Sequence, residues 1–264
     1  MPLTFRKMNC VVDTEYHTNM SLPKDNTVKF SRNELLQISW CLYDGRNHQD
    51  VVYRNYYIKR DDLPRNFYHR VTGLTKQFLD DHGVPIHQAI EAFMADIRRC
   101  QVLIGFNLNC ETNIVGVELL RLLLQDSSKK SQYQSDAQFL QHRIEHRCLK
   151  QEWNDRLQLR NENGRRVVPS LPYVYKHCFP NYDHFDTHSS QHDVMDTFSI
   201  LLKMNGVIDD DNTCPHICDS DSRRCGVVAQ EGENRYCEAH RPQEACQETT
   251  FSYPCSRFLP QIES

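Results

Sequence analysis

The apolar run Met8-Asn9-Cys10-Val11-Val12 ends in Asp13-Thr14-Glu15, and few local structures suit an acidic pair spaced by one residue at the end of such a run. On a β-strand, side chains two apart share a face, so Asp13 and Glu15 project together. On a helix they diverge. The spacing therefore predicts a buried strand that delivers two carboxylates to one place. Much later the chain returns a His/Asp pair in His188-Ser-Ser-Gln-His-Asp193-Val194. Clustered carboxylates hold hard divalent cations. Phosphodiester hydrolysis needs charge neutralised on the attacking oxygen, the leaving oxygen and the phosphoryl group, which two cations roughly 3.5–4 Å apart supply. Read together, the two pairs imply a metal-dependent nuclease.

The remaining sequence supplies elements that can carry such a site. Leu35–Tyr43 and Val51–Ile58 read as strands separated by the turn Asp44-Gly45-Arg46-Asn47, and with Asn9–Asp13 they predict an antiparallel meander. Ile86, Ile90, Phe93, Met94 and Ile97 recur at helical steps and predict a helix over Ile86–Arg99. Gln101–Phe106 reads as a buried strand, and Glu111–Leu124 as a helix. Leu171–Cys178 and Asp193–Met204 also read as helices, the second with Val194, Phe198, Leu201 and Leu202 on one face. Strands interleaved with helices predict an α/β fold, a mixed sheet flanked by helices. The Ser/Gln-rich stretch 126–140 reads as a polar insertion, mostly a surface excursion. Gly206 to Thr213 breaks the helical pattern and marks a boundary between a main domain, 1–206, and a minor one, 207–264.

Charge divides at the same boundary. Residues 1–206 hold 26 Lys+Arg against 24 Asp+Glu, whereas 207–264 hold 5 against 11. Neither part is basic overall, so any phosphate-binding surface has to be local. There is no run of 18 or more apolar residues, and the amino terminus leads into a strand instead of a signal-peptide core. The expectation is an intracellular protein of cytoplasm or nucleus, with no membrane association.

At this point the chain resembles the DEDDh (DnaQ-like, RNase T-like) 3′→5′ exonucleases of the ribonuclease H-like fold, over about residues 8–204. Val11-Val12-Asp13-Thr14-Glu15 is similar to the family's apolar strand ending in Asp-x-Glu. His69-Arg-Val-Thr72-Gly73-Leu-Thr75 resembles its His-x-Ile-Thr-Gly-Ile-Thr element. Ile104-Gly-Phe-Asn107-Leu-Asn-Cys-Glu111 stands where members usually carry His-Asn-x-x-Phe-Asp. His188-x4-Asp193-Val194 matches the last motif and follows Leu171-Pro-Tyr-Val-Tyr175-Lys-His-Cys-Phe179, which is similar to Leu-x-x-Leu-Tyr-x-x-Leu-Phe. Two positions depart from the pattern: Glu111 replaces the usual Asp, and Phe106 the usual His. His192 and Asp196 offer a competing pair with three intervening residues, and the four between His188 and Asp193 favour the latter.

The resemblance implies a 3′→5′ exonuclease in which Asp13, Glu15, Glu111 and Asp193 ligate two Mg²⁺ or Mn²⁺ ions. His188 then takes a proton from the attacking water, a role its ordinary pKa near 6.5 suits. Thr14, Tyr16, His17 and Asn107 are candidate substrate contacts. For Tyr16 and His17 the choice is between stacking on the terminal base and standing on the rim. For Asn107 it is between touching substrate and capping the helix that carries Glu111. His69 reads as structural. The implied partner is a single-stranded or 3′-end DNA or RNA, and oligomeric state is left open. The alternative is a non-catalytic nucleic-acid or protein binding module, with Glu111 the weak point. An endonuclease is the third reading, separable by whether mononucleotides are released.

Six of the twelve cysteines crowd between 214 and 255, beside His216 and His240. Cys218-x6-Cys225, followed by Tyr236-Cys237-Glu-Ala-His240, has the ligand count of a structural Cys₃His zinc site, and a segment this short with few large apolar side chains needs metal to fold. It resembles short Cys/His elements of large DNA virus proteins. Cys214 and His216 are reserve ligands, and Cys246 and Cys255 are spectators or parts of another site. The acidity of this tail favours contact with a protein partner or shielding of the active site over a grip on phosphate.

Overall fold

The protein is represented by a computed structural model that describes residues 8–22, 25, 28–45, 47–180, 188–207 and, for their backbone path, 247–252. The run ending in Asp13-Thr14-Glu15 is strand β1, Met8–Thr18, in the interior of the sheet. β2 (Asn33–Asp44) and β3 (Asn47–Tyr57) extend it as an antiparallel meander in which Asp13 faces Ser39 and Ser39 faces Asn55. On the other flank, β4 (Cys100–Gly105) runs parallel to β1, and β5 (Glu145–Cys148) parallel to β4. β6 (Gln247–Ser252) pairs antiparallel with β3, giving the order β5-β4-β1-β2-β3-β6.

Among the described residues seven α-helices join these strands: α1 (Lys76–His82), α2 (Ile86–Ile97), α3 (Leu108–Gln125), α4 (Lys130–His142), α5 (Leu149–Leu157), α6 (Leu171–Cys178) and α7 (Ser190–Met204). They cover both faces of the mixed sheet. This is the expected α/β architecture, a mixed sheet flanked by helices.

The period-two alternation of β1 divides the core. Cys10 and Val12 point with Ile38, Trp40 and Leu42 toward α2, α3 and α4, meeting Ile90, Phe93, Ile97, Ile114 and Leu140. Val11 points the other way with Cys41 and Tyr43, against Val174, Val194, Phe198 and Leu201 of α6 and α7. Burying each such side chain contributes about 1.5–3 kcal/mol, so the sheet position of β1 is fixed from both sides. Asp13 and Glu15 share the alternation of Val11 and emerge on the α7 face beyond the last apolar contact.

A bulge next to the acidic pair ties in a third region. The β1–β2 register shifts between Glu15 and Tyr16, and the Leu35 N–H at that irregularity donates to Glu118 Oε1 of α3 at 2.9 Å. The same carboxylate, 1% exposed, receives Arg60 and Arg121, and Arg60 Nε also donates to the Leu35 carbonyl at 3.1 Å. Residues 59–75 are thereby anchored to β2 and α3.

Some expectations need correction. The polar stretch 126–140 is not a surface excursion: most of it is α4, with Tyr133 and Leu140 buried and Asp136 held by Arg98 at 3.0 Å. Only one stripe of α4 meets the core, so its composition stays polar. β5 and α5 had no sequence expectation, and α3 starts at Leu108, a turn before Glu111. The helix over Leu171–Cys178 has the expected bounds, with Ser170 Oγ accepting from Tyr173 N–H. The six described cysteines are free thiols. The zinc-site residues Cys218, Cys225, Cys237 and His240, with Cys214, His216, Cys246 and Cys255, lie outside the described residues. Among the described residues no helix is long and apolar enough to cross a membrane.

Candidate active site

Three elements converge beside the part of β1 that runs past the carboxyl end of its parallel neighbour β4. Asp13 and Glu15 come from the strand itself, Glu111 from the first turn of α3 after parallel β4, and Asp193 from the first turn of α7. Ligands in open α/β sheets bind outside the carboxyl ends of parallel strands, and this site has that position. Gly105 closes the gap between β4 and β1: a Cβ there would lie 3.2 Å from both the Val12 carbonyl oxygen and Leu108 Cα. Its missing side chain lets the start of α3 approach the strand that carries Asp13.

Carboxylate oxygens of Asp13, Glu15 and Asp193 lie within 4.8 Å of one another. An all-oxygen, anionic set at that spacing fits a hard divalent cation. Burial, reinforced by the charges of Glu111, Asp193 and Glu15, pushes the Asp13 carboxyl well above its ordinary range. The cluster is thus a concentration of negative charge that a cation would relieve.

Glu111 is close but not part of that triad. Its Oε2 accepts a short hydrogen bond from Thr14 Oγ1, and Thr14 also contributes a backbone hydrogen bond. Burial raises the Glu111 carboxyl to about 8 and the charge on Asp193 adds to this, while the Thr14 hydrogen bonds and the charge of Lys150 oppose it. The Thr14 hydroxyl is thus engaged by the Glu111 carboxylate. Asn107 occupies the N-cap position of α3, but its side chain makes no capping hydrogen bond.

The other side chains named from the sequence fall around this centre. His188 sits immediately before the N-cap residue Ser189, half-buried, with φ +42. A left-handed conformation is uncommon for a non-glycine residue and is found disproportionately at functional sites. Its charge acts on His69, whose pKa is lowered by burial and by His17 and His188. His17 packs edge-on against Phe67 at 5.0 Å and against His69 at 6.3 Å. Tyr16 turns away, with its ring edge-on to Phe30 and its hydroxyl receiving the Cys110 thiol at 3.7 Å. His69 Nδ1 lies 2.9 Å from Thr72 Oγ1 inside a tight turn closed by Gly73 N–H to the His69 carbonyl at 2.8 Å.

Two sets of residues escaped sequence reasoning. The first is a buried polar network under the start of α7. Asn55 Oδ1 accepts from Gln37 Nε2 and Ser39 Oγ, both at 2.8 Å; Ser39 Oγ is 2.7 Å from Ser190 Oγ, and Gln37 Nε2 donates to Ser189 Oγ at 3.5 Å. It fixes the turn that presents Asp193. Its signal was available: Gln37 and Ser39 interrupt an otherwise apolar strand with the same two-residue period as Asp13 and Glu15. The second is Lys150 at the start of α5, half-buried, whose ammonium has no ion-pair partner among the described residues and bears on Glu111 and Cys110. No motif marks it.

The fold is similar to that of Exonuclease I. The likeness to a solved apo structure of that protein has a TM-score of 0.51 at 13% sequence identity and covers 75% of this chain and 42% of the other, so this chain corresponds to less than half of Exonuclease I. At that identity the likeness is one of fold, and this chain carries an acidic cluster on the central strand of that fold. No protein-family model and no curated protein sequence matches the chain.

Proposed function

We propose that this protein is a divalent-metal-dependent 3′→5′ exonuclease acting on single-stranded or frayed DNA or RNA ends. The observation that carries the reading is the convergence of Asp13, Glu15 and Asp193 within 4.8 Å on the central strand of an exonuclease-like fold, with Glu111 close by and His188 just before the N-cap of the helix that carries Asp193. These four carboxylates would hold two Mg²⁺ or Mn²⁺ ions. When bound, such ions neutralise charge on the phosphoryl group and lower the pKa of water. His188 accepts the proton of the attacking water, and the turn held by Ser189 and Ser190 keeps His188 and Asp193 in fixed relation. Lys150 faces the approaching phosphate with a positive charge. His17, with Phe67 and His69 behind it, forms an aromatic wall on which the terminal base can stack.

The test is a time course on 5′-labelled single-stranded RNA and DNA with Mg²⁺ or Mn²⁺, comparing wild type with Asp13→Ala and His188→Ala. A ladder that shortens from the 3′ end, lost in both variants, is expected, with metal binding retained in His188→Ala. Normal turnover in Asp13→Ala removes the proposal. A second reading, a catalytically weakened binding module, is favoured by one observation: the Glu111 carboxylate is engaged by Thr14. Strand binding without cleavage in wild type selects it. The tail is proposed to hold one structural Zn²⁺ through Cys218, Cys225, Cys237 and His240 and to contact a protein partner. Metal content of the full chain and of Cys237→Ser decides the zinc.

A further inference from the structure

The connection between α5 and α6 is basic in a chain whose formal net charge is −4. From 158 to 170 it carries Arg160, Arg165 and Arg166 against the single acid Glu162. Its tip is a built hairpin. Asn161 N–H donates to the Arg165 carbonyl and Val167 N–H to the Leu159 carbonyl, both at 2.9 Å. Asn161 Oδ1 also accepts from the N–H groups of Asn163 at 3.1 Å and Arg165 at 2.9 Å, and Gly164 takes the left-handed turn at φ +72. Asn and Gly are the residues such a turn favours.

Within this hairpin Arg160 and Arg166 are bridge partners directly across from each other. Like charges in that relation destabilise a strand pair, and the local compensation is thin. Arg166 meets Asp155 at 3.5 Å with both side chains more than half exposed, an arrangement worth little. Arg160 donates to the Gly164 carbonyl at 2.8 Å. The Arg165 side chain makes no hydrogen bond or ion pair among the described residues. Val167 and Val168 beside them are exposed. The fold therefore presents three exposed guanidinium groups on a hydrogen-bonded tip against one acid of the hairpin, Glu162, and the exposed Asp155 that meets Arg166. Guanidinium forks fit phosphate oxygens.

The position suits a strand that ends in the candidate site. The hairpin starts where α5 ends. Nine-residue α5 spans about 13 Å, the axial length of about four stacked nucleotides, and its first turn carries Lys150. The hairpin leads into α6, which packs against α7, the helix of Asp193. We infer that Arg160, Arg165 and Arg166 form a phosphate-gripping arm that holds a nucleic-acid strand several nucleotides from the end being cut. This rests on the exonuclease reading and adds to it a grip outside the cleavage site.

The test compares full-length wild type with the triple variant Arg160→Gln, Arg165→Gln, Arg166→Gln. Hydrolysis of the p-nitrophenyl ester of thymidine 5′-monophosphate, which has no flanking strand, is expected to be unchanged. KM for a long single strand is expected to rise about tenfold, and the slope of log affinity against log salt to shrink by about 2, from about 0.7 per lost phosphate contact. The melting temperature should stay level or rise, since cross-strand repulsion is relieved; a fall would instead mark the arginines as structural and overturn the inference. Equal KM and equal salt slope in the two proteins also overturn it, including the case in which the arm grips an acidic polypeptide. If wild type cleaves neither substrate, the exonuclease reading fails, while the salt slope of strand binding, read by fluorescence anisotropy, still decides the arm.

Discussion

Removing one charge from the acidic cluster should stabilise the metal-free protein and destabilise the metal-loaded one. Asp193→Asn preserves shape and deletes a charge whose oxygens lie within 4.8 Å of those of Asp13 and Glu15. Two unit charges at that separation repel by about 1 kcal/mol in water-like surroundings and about 3.5 kcal/mol at an effective dielectric of 20. Asp193 takes part in two such pairs, so the ceiling is about 7 kcal/mol. Asp13, whose carboxyl is pushed well up by burial and its acidic neighbours, relieves much of that repulsion by holding a proton. Asp193 also gains about 0.3–1 kcal/mol from the positive end of α7. A net gain of about 1–2 kcal/mol remains, or roughly 2–8 °C in melting temperature for a domain of this size. With cation at about a hundred times its dissociation constant, wild type gains about 2.7 kcal/mol by mass action, and the variant loses most of that gain. Circular-dichroism melts in EDTA and in Mn²⁺ read both signs. The reasoning is refuted if Asp193→Asn melts below wild type in EDTA, or if Mn²⁺ raises both proteins equally.

Three further outcomes follow from particular contacts. Burial lifts the Glu111 carboxyl from 4.5 to about 8; the folded state then holds a proton the unfolded chain has lost, so stability in EDTA is fully present below about 4.5 and is lost as pH rises through about 8. Urea midpoints across that window should fall, and fall less in Glu111→Gln; a rising midpoint contradicts the assignment. Gly105→Ala places a methyl group 3.2 Å from the Val12 carbonyl oxygen and Leu108 Cα, which should cost about 1–3 kcal/mol and lower kcat by displacing Glu111; wild-type values for both would show that α3 yields freely. Asn55→Leu removes the acceptor for Gln37 and Ser39 and should cost about 1–3 kcal/mol. Mn²⁺ affinity measured by calorimetry should drop with it, because the turn before Asp193 loses its anchor; unchanged affinity would confine the network to stability.

Legibility in the sequence followed how local each signal was. The Asp13-x-Glu15 pair was readable because a strand's period of two decides where both carboxylates go, and α6 because Ser170 and Pro172 mark its start and its apolar residues repeat over two turns. α4 was hidden: its buried stripe is Tyr133, Asp136 and Leu140, and an aspartate reads as solvent-facing until Arg98, from another helix, is known to meet it. β5, Glu145-His-Arg-Cys148, has no apolar run at all and is a strand because the edge of β4 offers it partners. Gln37 and Ser39 stand out as polar breaks in an apolar strand, but their meeting with Asn55 and the start of α7 depends on a cross-strand register no local pattern specifies.

Glu111 shows how a single methylene acts through such long-range contacts. The family resemblance singled it out at the start of the helix that follows β4, whereas the destination of its carboxylate was not legible. Gly105 brings the start of α3 against β1, and the longer glutamate arm reaches the Thr14 hydroxyl and backbone N–H between the two acids of the strand. Its carboxyl group is thereby engaged by β1 itself, which leaves Asp13, Glu15 and Asp193 as the tight triad. A cation that recruits Glu111 must replace those hydrogen bonds, whereas a cation held by the triad breaks none of them. The geometry therefore separates the acidic centre into a preformed part and a part that metal entry has to assemble.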